Sequence, residues 1–142
     1  MRKIACLACL LILCMLSALA EADNSVCISN SEWNNKTRTK VITVEFDSNE
    51  YCALDYTVRA YVWCRIGKDG QPRQAADAAP ISLAPKRIGG DWLATGTRDI
   101  RIEYHELFGT YPERRYCYYR YLVTCEHNGE TWVVRESGWN PA

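Results

Sequence analysis

The chain lacks the usual signatures of catalysis. It has no G-x-S-x-G, no H-E-x-x-H and no phosphate-cradling glycine loop, and beyond residue 20 no C-x-x-C. Histidine is scarce, with only 2 in 142 residues. Net charge is missing as well, because 17 basic side chains cancel 17 acidic ones. A balanced chain exerts no bulk pull on nucleic acid or anionic lipid, so neither is expected as a partner. No apolar run after the N-terminus is long enough to span a bilayer, and helical periodicity is rare throughout. Neither a metal nor a cofactor is implied.

The N-terminus is the clearest positive signal. Arg2 and Lys3 precede an apolar run from Ile4 to Leu16, followed by the small-residue stretch Ser17-Ala18-Leu19-Ala20-Glu21-Ala22. A positive start, a short apolar middle and an A-x-A exit are the marks of a secretory signal peptide. Cleavage is expected after Ala20 or Ala22, giving a secreted or periplasmic product. The expected organisation is a leader over residues 1–20, a flexible polar arm over 21–39 and a single domain over 40–142. Loss of Arg2 and Lys3 leaves that product slightly acidic. Asn35-Lys36-Thr37 is a glycosylation sequon, meaningful only in a eukaryotic secretory pathway.

Export also changes the cysteine count. Cys6, Cys9 and Cys14 leave with the leader, and Cys27, Cys52, Cys64, Cys117 and Cys125 remain. In an oxidising compartment these are expected to pair, with one thiol left over. Cys52 and Cys64 lie about 40 Å apart on an extended strand at ~3.3 Å per residue, so bridges must run between strands. The expected pairs are Cys64 with Cys117 and Cys52 with Cys125. Cys27 is then odd and available for a covalent dimer. Joining Cys27 to Cys52 instead would free Cys125.

Alternation carries the fold prediction. From Cys52 to Ile66 every even position is apolar, including Leu54, Tyr56, Val58, Ala60, Val62 and Cys64. A period of two with β-branched and aromatic residues reads as a half-buried strand. Val41–Phe46, Ile100–Tyr104 and Arg115–Cys125 read similarly. Asn128-Gly129 marks a two-residue hairpin leading into Thr131–Glu136, with His127 facing Glu130, Cys125 facing Trp132 and Val123 facing Val134. Gln71–Pro85 reads mostly as loop. Six or seven such strands predict an all-β, disulfide-stabilised antiparallel sandwich of immunoglobulin-like or fibronectin-like architecture, with a small β-barrel as the alternative.

Residues that bear chemistry are few. His105 shares a strand face with Glu103 near Asp99, which defines a small secreted hydrolase as one alternative function. Cys125 and His127 also share a face, but a core cysteine explains Cys125 better. The leading candidate is a surface. Arg59, Tyr61, Trp63 and Arg65 fall opposite the apolar side of their strand, and Tyr118 and Arg120 belong to a later one. Tyr, Trp and Arg are the residue types enriched at binding hot spots, although the same rings also suit packing across strands. The expected function is therefore non-enzymatic recognition of a protein or glycan, as in an inhibitor or immunity-type protein. A structural subunit linked through Cys27 is the third class.

Overall fold

Side-chain alternation builds the architecture, most plainly in β2 (Thr39–Ser48). Its even residues Ile42, Val44 and Phe46 are fully buried, whereas Val41, Thr43 and Glu45 keep partial access to water. The computed structural model describes residues 24–75, 79–88 and 91–142. The expected leader and its cleavage points lie outside them.

Two antiparallel sheets result. In the first, β2 pairs along its whole length with β1 (Asn24–Asn34) on one side and β7 (Asp91–Glu103) on the other. Strand β6 (Ala84–Ile88) completes it in the order β1-β2-β7-β6. The second sheet centres on β3 (Thr57–Ile66) and β8 (Cys117–His127). Short strands β4 (Arg73–Gln74) and β5 (Pro80–Ile81) border β3, and β9 (Glu130–Glu136) and β10 (Asn140–Pro141) border β8.

One core joins the sheets. Ile42, Val44, Phe46, Ile100 and Ile102 of the first face Val58, Ala60, Val62, Cys64, Cys117, Tyr119, Tyr121, Val123 and Cys125 of the second. Each fully buried branched or aromatic side chain here contributes about 1.5–3 kcal/mol. At one end Tyr104 opens the short helix α1 (Tyr104–Phe108), is fully buried, and donates its hydroxyl to Tyr118 O at 2.8 Å. That bond ties the end of the first sheet to the second. Gly96 is needed for a close approach, since a Cβ there would lie 2.5 Å from Ser82 O. The Asn128-Gly129 turn has φ of 52° and 78°, the left-handed pair that a type I′ hairpin requires.

Several expectations are corrected. All five cysteines are free thiols, so neither Cys64–Cys117 nor Cys52–Cys125 is a disulfide and the fold is not disulfide-stabilised. Register is the reason. Cys64 sits opposite Tyr119, Ile66 opposite Cys117 and Val58 opposite Cys125. The two expected bridges call for different registers, and the actual one matches neither. Cys52 is not in the strand at all, because Ala53–Asp55 form a 3-10 turn and β3 begins at Thr57. Two separate sheets also exclude the closed barrel.

The segment expected as a loose arm is largely the edge strand β1, held by backbone pairing to β2 while only Val26 is fully buried. Gln71–Pro85, expected as loop, contributes β4, β5 and the start of β6. A bulge after Val123 puts Arg135 opposite it rather than Val134, while His127–Glu130 and Cys125–Trp132 pair as expected. Among the described residues no helix is long and apolar enough to cross a membrane.

Candidate functional site: an aromatic–arginine ladder

The outer face of the second sheet gathers the predicted contact residues. Antiparallel register sets Trp63 opposite Arg120, Arg65 opposite Tyr118, Tyr61 opposite Leu122 and Arg59 opposite Thr124. Because side chains alternate, all of these project away from the core and are half-buried. The six nominated residues thus share one surface.

Their contacts form a ladder. Tyr61 and Trp63 stack with centroids 6.1 Å apart and planes inclined by 15°. Arg120 lies 5.2 Å from the Trp63 ring centre and 5.0 Å from that of Trp139. Arg65 lies 4.2 Å from Trp139 and 5.7 Å from Tyr118. The order along the face is therefore Tyr61, Trp63, Arg120, Trp139, Arg65, Tyr118. Each cation–ring contact at a partly exposed site is worth ~0.5–1 kcal/mol.

Trp139 is the member that the sequence reading missed. It follows β9 in Ser137-Gly138-Trp139-Asn140, which has no strand periodicity to mark it. The backbone around it is pinned. Ser137 N–H donates to Tyr121 O at 2.9 Å, and Tyr121 N–H donates to Ser137 Oγ at 2.8 Å. Asn140 Nδ2 donates to Ser137 Oγ and Gly138 O. These bonds hold the link to β10 against β8 and bring the indole between the two guanidinium groups. An Asn and a Ser flanking Gly-Trp were the only available signal.

The electrostatics are unusual for a sheet face. Among the described residues neither Arg65 nor Arg120 takes part in a salt bridge, and the Nε of each is buried without a hydrogen-bond acceptor. Ring faces hold these cations in place and leave their charge uncompensated. The acidic residues of this surface, Glu126 and Glu136, sit toward its β8–β9 border.

The other nominated groups do not converge. Glu103 contacts Arg101 at 3.5 Å, and His105 stacks on Tyr111 at 3.8 Å with Glu106 3.7 Å from its Nδ1. Asp99 lies four residues up β7 from Glu103, about 13 Å away at ~3.3 Å per residue, where it accepts the Thr43 hydroxyl. Burial, aided by the Glu50 carboxylate, pushes the Cys125 thiol up to about 12, which disqualifies it as a nucleophile beside His127. His127 instead packs on Tyr56, which also meets Trp132 edge-on. Cys27 is exposed on β1. Among the described residues no three His, Cys, Asp or Glu side chains are grouped to hold a metal ion.

Two adjoining hollows lie at the end of the first sheet, sharing Lys36, Thr37, Thr39 and Arg101. The larger, about 610 Å³, runs from Glu32 and Trp33 across Val41. The smaller, about 250 Å³, holds Glu103, His105 and Tyr111. Comparison of the chain with protein-family models, curated proteins and solved structures gives no match.

Proposed function

We propose that this protein is an exported, non-enzymatic recognition module that binds an acidic protein partner through the aromatic–arginine ladder. An inhibitor or immunity-type protein is one form of such a module. The observation that carries the reading is the pair of guanidinium cations, Arg65 and Arg120, held between rings without a carboxylate. Pre-ordered rings and fixed charge lower the entropy lost on binding, and the uncompensated charge attracts an acidic surface. The strand order β1-β2-β7-β6 against β3, β8 and β9/β10 runs parallel to the A-B-E-D and C-F-G order of immunoglobulin-like sandwiches. That supports the immunoglobulin- or fibronectin-like reading of the fold.

The hydrolase alternative has less support, since Glu103 is engaged by Arg101 and Asp99 stands apart. The test is affinity capture from extracellular or periplasmic material, with Arg65→Glu/Arg120→Glu as the face variant and Glu45→Lys on the opposite sheet as control. A protein held by the wild type and the control, and lost from a face variant that melts normally, is the expected result. Equal capture by all three overturns the ladder as the contact surface. Capture abolished by glycosidase treatment of the material, with the captured polypeptide intact, transfers recognition to a glycan.

A further inference from the structure

We infer that Asn35 carries an N-linked oligosaccharide whose first sugar packs against the indole of Trp33. The inference rests on the export reading in its eukaryotic form, secretion rather than delivery to a periplasm, and is independent of the ladder. Asn35-Lys36-Thr37 forms the exposed tip of the β1–β2 hairpin, where a transferase can reach it. The tip has a fixed shape, because Asn34 Oδ1 accepts the backbone N–H groups of Lys36 and Thr37.

The orientation of the Asn35 amide is the more informative feature. Its oxygen accepts from Trp33 Nε1 at 3.1 Å and from Arg38 Nη1 at 2.7 Å. Both contacts spare the nitrogen, the atom that bonds to sugar, and among the described residues no hydrogen bond uses it. Both can persist after modification, since glycosylation replaces only one N–H hydrogen.

The surroundings suit a pyranose ring. Trp33 packs one side on Tyr104 with centroids 5.8 Å apart, and it also lines the 610 Å³ hollow beside Asn35. An indole offers a flat apolar surface for the C–H face of a sugar. Glu32, Thr39 and Arg101 supply acceptors and donors for its hydroxyl and acetamido groups. A hollow of this size falls within the ~300–1,000 Å³ typical of small-ligand clefts.

The chemistry requires a donor from the export compartment, namely an oligosaccharide linked to a lipid diphosphate. Asn35 Nδ2 attacks the anomeric carbon, a C–N bond forms, and the C–O bond to the diphosphate breaks. The amide gives up one proton and the lipid diphosphate departs. Nothing is oxidised or reduced.

The full chain should be translated in the presence of eukaryotic microsomes, with protease protection and glycosidase sensitivity as readouts. A protected, leader-cleaved product bearing one glycosidase-sensitive shift, lost in both Asn35→Gln and Thr37→Ala, is expected. A protected and cleaved product without the shift overturns the inference while leaving export intact. An unprotected product overturns export and the inference together. The sugar contact is tested on secreted protein trimmed to a single sugar. That sugar should raise the melting temperature by about 3 °C over Asn35→Gln when Trp33 is present. An equal rise in the Trp33→Ala background overturns the stacking.

Discussion

The two sheets bury similar residues inward and differ in what they turn outward. On the first sheet polar groups find each other: the Thr43 hydroxyl donates to Asp99 across β2 and β7, and Arg101 meets Glu103 along one strand. On the second, cations meet rings, with Arg65 and Arg120 interleaved among Trp63, Trp139 and Tyr118. The match on the first sheet is partial, since among the described residues Glu45 and Asp47 of the same face join no salt bridge and Asp47 Oδ1 is buried without a hydrogen-bond partner. What the first sheet leaves unpaired is acidic, whereas the second leaves cations fixed between rings. This contrast, rather than exposure, singles out the second face, because the exposed large apolar side chains are scattered, with Tyr51 and Leu54 on the β2–β3 connection, Tyr111 and Tyr116 ahead of β8 and Val133 on β9.

The largest expected effect separates the core side of the second sheet from the edge of the first. Burial pushes the Cys64 thiol up to about 12, with Cys117 adding to the shift, and pushes Cys117 itself to about 11. At pH 8 a thiol near 12 is ionised in only about one molecule in ten thousand. In native protein a disulfide reagent should therefore modify exposed Cys27 and leave Cys64, Cys117 and Cys125 unmodified until denaturant is added. Rapid native labelling of all five would break the contrast. A dimer on a non-reducing gel would join two copies through Cys27.

Next comes the ladder itself. Trp139→Ala removes the ring shared by both arginines. It should cost about 2–3 kcal/mol and lower the melting temperature by roughly 10 °C. Trp139→Phe should recover part of the loss, since a smaller ring still accepts a cation. Thermal unfolding of the two variants checks this. An unchanged melting temperature in Trp139→Ala would make the stacking ornamental.

What the sequence made legible, and what it hid, follows from the physics of each segment. Val58–Cys64 was readable because one face is fully buried, and burial enforces a period of two. The pattern ran on falsely to Cys52 because apolar residues in a 3-10 turn can fall on even positions by chance. Strand β1 was unreadable because an edge strand exposed on most of its length needs no apolar face, only backbone pairing. Pro80 and Pro85 concealed β5 and β6, since proline survives at sheet edges but reads as a breaker. The ladder was half legible. Its strand residues alternate, but Trp139 arrives through hydrogen bonds of Ser137 and Asn140 that no periodicity announces. The disulfides failed because pairing depends on register, which cysteine spacing does not determine.

A smaller effect concerns Lys40, the cation that the first sheet turns inward. It is 3% exposed, with its ammonium 5.9 Å from the Tyr119 ring centre. Burial, and secondarily the Arg114 charge, holds its pKa below the ordinary 10.5. A lysine depressed in the folded state sheds its proton there first. Between its folded value and 10.5 the unfolded chain binds more protons, so wild-type stability rises with pH in that window. Below the window both states are charged and the full cost of burial is present. Lys40→Met should therefore melt higher than wild type at pH 7, with the gain fading as pH climbs toward 10.5. A gain independent of pH would assign it to packing alone.

The smallest effect is expected on the outer face of the first sheet. Asp99→Asn keeps an acceptor for the Thr43 hydroxyl and removes one exposed charge. Stability should change by less than ~0.5 kcal/mol, because an exposed polar contact in high dielectric contributes little. Partner capture should be unaffected, since Asp99 faces away from the ladder on the other sheet. The same variant bears on the hydrolase alternative. If Glu103, His105 and Asp99 formed one catalytic group despite their separation, neutralising Asp99 would abolish any hydrolysis the wild type performs. Loss of a measured hydrolytic activity in a stable Asp99→Asn protein would therefore reverse the ranking of the two faces. An unchanged variant leaves the ladder the better supported of the two faces.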